Sequence, residues 1–307
     1  TRSELQALHA SGGVDMTGYP TGQYKGVRYF HNNDALAKKT DDFYFWVSMT
    51  SSRVDGTESY TFGNFDKMNL FNTDGHYVIL REGDEYNRHK GAWEISALPG
   101  ITARFTPLED LTPENNYRGF NSVSNFAGGV VRGGNGASAF IYEKNSDTQN
   151  EHDPEIYGIR AKKAYFIIGD TIFCLGAGIE DRKPKLGGEV WTTLNHTAWR
   201  TSLTHGVLGL DNIETWQPGQ NVNRSMELNS LGSPVWARQD GILYAVSPQA
   251  TTGRLELTAG ARNTHWAQLT NRQVPEEMLD MFRLSINHGK APTDGTYGYL
   301  MYLGDRN

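Results

Sequence analysis

Two runs of apolar residues separated by only two turn residues constrain this chain most strongly. Residues 164–168 (Ala-Tyr-Phe-Ile-Ile) and 171–175 (Thr-Ile-Phe-Cys-Leu) flank Gly169-Asp170. β-Branched and aromatic residues favour strands, and a two-residue Gly/Asp connection favours a tight hairpin. Residues 235–238 and 242–246 repeat the pattern around Gln239-Asp240-Gly241. The chain therefore contains antiparallel strand pairs rather than parallel strands joined by helices.

Strand-like segments recur along the chain with Gly, Asn or Asp turns between them. Further examples are residues 43–49, 76–80, 137–142, 254–258 and 297–303. The 34 glycines and 11% aromatic residues agree with a chain of many strands and turns. One late window, residues 275–281, opens with Pro-Glu-Glu and favours a short helix. With no linker dividing the 307 residues, the pattern predicts one large antiparallel β-sandwich.

Charge and cysteine content exclude several classes of protein. A formal net charge of −6 argues against general nucleic-acid binding, although local basic patches could still bind an acidic substrate. The single Cys174 allows neither a disulfide within the chain nor a cysteine-rich zinc site, and it fits a small buried hydrophobe. The most apolar stretch, residues 165–179, is interrupted and too short for a membrane-spanning helix. Because the chain begins at Thr1, we expect a processed product or an excised piece.

The polar stretch 143–155 holds the only candidate cation ligands. Four carboxylates could bind calcium, but their spacing fits no standard loop, and His152 with Asp153 is a weak candidate for zinc. The four carboxylates are Asp147, Glu151, Asp153 and Glu155. A solvated loop is the better interpretation, so we expect no metal or other cofactor.

Eight segments, in order along the chain, are similar to one known enzyme family. They are Ser51-Ser52-Arg53, residues 57–60 (Thr-Glu-Ser-Tyr), 72–77 (Asn-Thr-Asp-Gly-His-Tyr), Trp93 with 98–102 (Leu-Pro-Gly-Ile-Thr), 161–179, 189–194 (Glu-Val-Trp-Thr-Thr-Leu), Trp236 with 240–244, and 288–299. Together they resemble the central β domain of polysaccharide lyase family 8, the chondroitin, hyaluronan and xanthan lyases.

This resemblance implies a galactose-mutarotase-like β supersandwich over residues 22–307, preceded by a lead-in segment at 1–21. It also implies β-elimination on an acidic, uronate-containing polysaccharide. Family members carry their catalytic Asn, His, Tyr and Arg on a helical toroid. We expect neither that toroid nor the family's small C-terminal β domain in this chain, so a helical domain or chain is the implied partner.

The resemblance also suggests functional residues. β-Elimination requires neutralisation of the uronate, a base for the C5 proton and an acid for the leaving oxygen. In the family a Glu of the β domain supports these groups, and Glu58 matches it best, although an ordinary turn carboxylate is an equal interpretation. The family's Gly-Glu-Asn-Leu stretch reads Gly-Asn-Phe-Asp here, at residues 63–66, so Asn64 is a candidate for substrate binding.

Basic and aromatic residues between positions 81 and 104 could form a rim that binds carboxylates and stacks on sugars. The rim candidates are Arg88, His89 and Trp93, with Arg81, Lys90, Arg104 and Tyr86 nearby in sequence. Arg53 of the Ser-Ser-Arg segment is a further substrate-binding candidate. Nearby acidic residues also fit an exposed, solvated loop.

Three functions remain open from the sequence. The first is the β domain of a family 8 lyase whose cleft is completed by a helical domain. The second is a non-catalytic carbohydrate-binding or structural module with the same fold. The third is a self-sufficient lyase that uses its own His76, Tyr86 and His89. A protein that acts on such polymers would lie in a bacterial periplasm or outside the cell.

Overall fold

The computed structural model describes residues 25–54, 56, 67–111, 121–144, 157–270 and 273–304. Within these ranges the regular structure of the chain is almost entirely antiparallel β-strand. The strands are β1 Gly26–Phe30, β2 Ala35–Lys39, β3 Tyr44–Ser48, β4 Tyr77–Leu80, β5 Thr102–Arg104, β6 Ala127–Arg132, β7 Asn135–Glu143, β8 Ile159–Ile168, β9 Thr171–Asp181, β10 Glu189–Ala198, β11 Leu203–Val207, β12 Glu214–Trp216, β13 Val222–Glu227, β14 Val235–Gln239, β15 Ile242–Val246, β16 Arg254–Asn263, β17 Met278–Lys290 and β18 Gly295–Tyr302.

Helical structure is confined to short pieces. The one α-helical turn among the described residues, α1, spans Trp266–Thr270. The 3-10 turns are His89–Ala92, Ile95–Ala97, Leu108–Asp110, Pro184–Leu186, Leu228–Ser230 and Pro248–Ala250. The predicted all-β class with at most short helical turns is therefore confirmed.

Both predicted hairpins are present. In the first, Ile168 of β8 pairs with Thr171 of β9 across Gly169-Asp170. In the second, Gln239 of β14 pairs with Ile242 of β15, so the connection is the two residues Asp240-Gly241. Both connecting residues have positive φ, 51° and 69°, as a type I′ hairpin turn requires.

The expected helix at residues 275–281 is wrong. The stretch 273–277 holds no regular element, and Met278 already begins β17, the longest strand among the described residues. β17 pairs with β16 on one side and β10 on the other. These ladders supply hydrogen bonds over the whole strand, which outweighs the weak local preference of Pro-Glu-Glu for a helix start.

The strands form three sheets in two layers. Their orders are β1-β2-β3-β4, β13-β16-β17-β10-β5 and β12-β11-β14-β15-β18-β9-β8-β7-β6. The inner face of the nine-stranded sheet packs against both smaller sheets in one continuous core, which includes Phe45, Tyr165, Cys174 and Phe282. Cys174 is fully buried, as the sequence predicts.

A second core lies on the far side of the two smaller sheets. It joins Leu70, Trp93 and Leu98 of the segment between β3 and β5 to Met281 of β17. This segment covers the outer side of β4 and the five-stranded sheet, so β10 is buried on both faces. Among the described residues no helix is long and apolar enough to cross a membrane.

Candidate functional site

Arg53 lies at a corner where three parts of the chain meet. Its guanidinium donates to Oδ1 of Asp34 at 2.8 Å and to the Ala127 carbonyl at 3.0 Å. A third hydrogen bond goes to the carbonyl of Asn125. Arg53 thus joins the β1–β2 turn to the beginning of β6. About half of its side chain, 48%, remains exposed to solvent.

We call the site formed by Arg53, Asp34 and the carbonyls of Asn125 and Ala127 the Arg53 corner. Asp34 is its buried centre. Its carboxylate accepts hydrogen bonds from the hydroxyls of Ser51 and Tyr29 as well as from Arg53. The backbone of Asp34 is left-handed, with φ 45°, which Asp tolerates better than most side chains. Burial and then the Asp34 charge raise the pKa of Tyr29 to about 12.

Two segments leave the described structure next to this corner. The Gly56 amide donates to Oδ1 of Asn121 at 3.0 Å, and the Ser52 amide donates to the Ser124 carbonyl at 2.8 Å. The described residues that flank positions 57–66 and 112–120, Gly56 and Asn121, are therefore in direct contact. Glu58 and Asn64 belong to the first of these segments and lie outside the described residues.

A buried ion pair lies at the base of a third segment. Nζ of Lys144, the residue before segment 145–156, lies 2.7 Å from Oδ1 of Asp74, and both side chains are almost fully buried. Lys163 donates to the Gly100 carbonyl and lies 3.4 Å from the Asp74 carbonyl. Burial lowers the pKa of Lys163 to about 7, against the opposing charge of Asp74.

The candidate cation ligands Asp147, Glu151, His152, Asp153 and Glu155 lie outside the described residues. Within the described ranges, no group of three or more His, Cys, Asp or Glu residues could hold a metal ion.

The basic residues of positions 81–104 do not form one rim. Arg88 pairs with Glu277, whereas the buried Arg104 pairs with Asp181 at 2.5 Å. Arg81 donates to the carbonyls of residues 241 and 303. His89 is half-buried, and burial together with the charges of Arg200 and Arg88 lowers its pKa. Arg81, Arg88 and Arg104 thus have partners in different parts of the structure.

Trp93 is only 4% exposed and lies in the second core. Its indole N–H donates to the His196 carbonyl at 2.9 Å, and the Lys90 ammonium lies 5.7 Å from its ring centroid. Such contacts are those of a packed tryptophan. Its role in stacking on a sugar stays a prediction.

Sequence reasoning missed Asp34, Asp74 and Lys144. Asp34 follows Asn32-Asn33 and Asp74 precedes Gly75, so each is typical of an exposed turn. Turn composition does not reveal that a carboxylate is buried against a cation from a distant strand.

Two of the three side chains that a self-sufficient lyase would use, His76 and Tyr86, are engaged in interior hydrogen bonds. The Tyr86 hydroxyl accepts from the Ile79 amide and donates to Oδ1 of Asn195 at 3.3 Å. Nδ1 of His76 contacts the Pro99 carbonyl at 2.9 Å, and burial lowers the pKa of His76 to about 4. None of these contacts involves a residue of the Arg53 corner.

Comparison with known proteins gives the family of this fold. The family model for polysaccharide lyase family 8, super-sandwich domain, matches residues 25–306. Chondroitinase-AC of Pedobacter heparinus is 31% identical over 290 residues, which cover 92% of this chain and 36% of that protein. Hyaluronate lyase of Staphylococcus aureus is 23% identical over 275 residues, 90% of this chain and 30% of that protein.

Solved structures show the same architecture. A chondroitinase AC lyase, solved in complexes with oligosaccharides, matches with a TM-score of 0.73 and 27% identity over 92% of this chain and 37% of its own. A Paenibacillus xanthan lyase matches with a TM-score of 0.74 and 20% identity over 98% and 27%, which shows the shared fold alone. The chain spans about a third of the length of these relatives. It belongs to polysaccharide lyase family 8 and comprises the super-sandwich domain of that family.

Proposed function

We propose that this chain is the β domain of a lyase that cleaves uronate-containing acidic polysaccharide by β-elimination, in a cleft completed by a helical domain outside this chain. One observation carries the proposal. The Arg53 corner brings the flanks of segments 57–66 and 112–120 together, and the first of these contains Glu58. The corner thus fixes the described residues on both sides of the position that the proposal gives to Glu58.

In this proposal Glu58 supports the catalytic groups of the helical domain, and Asn64 binds substrate. Arg53 positions the segment that carries both, and its exposed half contributes positive charge toward the uronate. Arg88 and His89 are proposed at a more distant part of the substrate surface, because the Arg88 side chain is 68% exposed. The substrate would be chondroitin-like or hyaluronan-like, and the protein would be periplasmic or extracellular in a bacterium.

We assign the acid–base chemistry to the helical domain because two of the three side chains considered for a self-sufficient lyase are held in the interior. His76 and Tyr86 are committed to interior hydrogen bonds, and burial raises the pKa of Tyr86 well above neutrality. The same observation favours the second candidate function, a carbohydrate-binding module without catalysis. The two candidates differ in one outcome: the chain together with a helical domain catalyses the reaction if it is a lyase β domain and does not if it is a binding module.

The test measures the ultraviolet absorbance of unsaturated uronates on a panel of acidic polysaccharides. The chain is assayed alone and fused to the helical domain of the Pedobacter heparinus chondroitinase-AC. We expect product only from the fusion, with a large loss in Glu58→Gln and none in the exposed control Glu276→Gln. Product from the chain alone would contradict the need for a helical domain. No product from either form would contradict the lyase and leave the binding module.

A further inference from the structure

Three aromatic rings form a row on the outer face of the four-stranded sheet. Along β3, Phe45 and Val47 point into the first core, while Tyr44 and Trp46 point the other way and remain partly exposed. Phe30 of β1 lies on the same outer face and is 38% exposed. We call Phe30, Trp46 and Tyr44 the aromatic strip.

Two of the rings are paired with small residues of the neighbouring strand β2. Phe30 is paired with Ala35, and Trp46 is paired with Ala37. Paired residues of antiparallel strands project to the same face, so each ring covers an alanine of β2. Both alanines are buried even though they lie on the outer face.

The rings are fixed in position. The Phe30 and Trp46 centroids are 5.2 Å apart, and those of Tyr44 and Trp46 are 6.5 Å apart with an angle of 28° between the ring planes. The indole N–H of Trp46 donates to Ser48 Oγ at 2.8 Å, which holds the ring on the sheet. Little side-chain freedom is left to lose when a ligand binds.

Basic side chains border the strip on the same face. Lys39 is paired with Tyr44, and Arg28 is paired with Ala37. Arg28 is exposed and Lys39 is partly exposed. Partly exposed rings next to cations suit a ligand that has an apolar face and a negative charge.

The strip is close to the Arg53 corner along the chain. Phe30 ends β1 at the turn that contains Asp34, and Ser48 leads from Trp46 into the segment of Ser51 and Arg53.

One other exposed apolar surface of the described structure has a different character. A groove of about 570 Å³ on the outer face of the nine-stranded sheet is lined mainly by aliphatic and aromatic residues, with Arg238 as its one charged residue. The aromatic strip instead combines rings with a hydroxyl, a serine and two cations, which suits a charged sugar better than an apolar partner.

We propose that the aromatic strip is an accessory subsite for uronate-containing oligosaccharide, in which a pyranose ring stacks on Trp46 and its neighbour's carboxylate contacts Lys39 and Arg28. The strip would hold the polymer beside the cleft without taking part in the elimination. This inference rests on the proposed acidic polysaccharide substrate, but its test needs no catalysis.

Isothermal titration calorimetry of the whole 307-residue chain with chondroitin and hyaluronan hexasaccharides tests the subsite. We expect Trp46→Ala to weaken binding on the order of tenfold, as for a central aromatic contact. Trp46→Phe should retain most of the affinity. The matched control is Trp236→Ala, a partly exposed tryptophan of the nine-stranded sheet, which should bind as the wild type does. Lys39→Gln should weaken binding of both hexasaccharides.

Equal affinities of wild type, Trp46→Ala and Trp236→Ala would overturn the subsite, as would the absence of binding to any hexasaccharide. Equal binding of neutral maltohexaose, with no effect of Lys39→Gln, would overturn its acidic specificity. The chain could also bind the helical domain through Trp46 and bind no sugar. That result would make the strip a protein interface and would overturn the subsite. If Trp46→Ala loses cooperative unfolding, Lys39→Gln decides: weaker binding of the hexasaccharides supports the subsite, and unchanged binding overturns it. Sugar binding that depends on Trp46, without any lyase product, would contradict the proposed reaction but not the subsite.

Discussion

The Arg53 guanidinium and the Asp34 carboxylate meet at 2.8 Å although 19 positions separate them in sequence. Asp34 is fully buried and Arg53 is half exposed, so the pair lies at the boundary between core and surface. Through this contact the β1–β2 turn holds the chain just before the segment that contains Glu58. The geometry of the proposed cleft therefore depends on a carboxylate that does not itself face the substrate.

Replacement of Asp34 by Asn should lower the free energy of unfolding by roughly 1–3 kcal/mol, because charge-assisted hydrogen bonds from Arg53 are lost while the residue stays buried. Asn tolerates the left-handed backbone at φ 45°, so the loss reports the charge rather than backbone strain. Urea denaturation measures the loss. The exposed control Asp211→Asn should change stability by less than about 0.5 kcal/mol. An equal effect of both variants would contradict the role of Asp34.

Removal of the Lys144 ammonium should lower the free energy of unfolding more than Asp34→Asn does. Lys144→Met leaves the Asp74 carboxylate buried without its cation, and we expect a loss of roughly 3–5 kcal/mol. The double variant Lys144→Met/Asp74→Asn should recover part of it. Lys25→Met, which breaks the exposed pair with Asp41, should cost less than about 1 kcal/mol. If urea denaturation gave similar losses for Lys144→Met and Lys25→Met, the pair would not stabilise the base of segment 145–156.

The buried Lys163 should make stability rise with pH above neutrality. Its pKa is about 7 in the folded protein, against the ordinary value of 10.5. Between these values the unfolded chain binds more protons, so the free energy of unfolding increases as the pH rises. From pH 7 to pH 9 the wild type should gain roughly 2 kcal/mol relative to Lys163→Met. Parallel pH dependences in urea denaturation would show that Lys163 titrates normally.

Acid should destabilise the fold through buried histidines. Burial and the charge of Arg262 lower the pKa of His196 to about 3 from the ordinary 6.5. The unfolded chain therefore takes up a proton near pH 6.5 that the folded chain does not, and stability is lost as the pH falls below 6.5. Between pH 7 and pH 5 the wild type should lose about 2 kcal/mol more than His196→Leu. Equal losses in the two proteins would exclude His196 as a source of acid sensitivity.

Elements set by neighbouring residues could be predicted from the sequence. The alternation along β8 and β9 and the turn Gly169-Asp170 determine that hairpin locally. In contrast, Pro275-Glu276-Glu277 indicated a helix, and the ladders of β17 with two distant strands prevailed. A local sequence pattern does not show which remote segments will pair as strands.

The sequence by itself determined the all-β class, the two hairpins, the burial of Cys174 and the family resemblance, because periodicity, turn residues and ordered short motifs are local. Only the tertiary structure decided which charges meet. Arg88 pairs with Glu277, 189 positions away, and Arg53 pairs with Asp34. It also buried Trp93 while leaving Trp46 at the surface. The environment of each of these side chains is set by which strands lie beside it, and long-range packing of the three sheets fixes those neighbours.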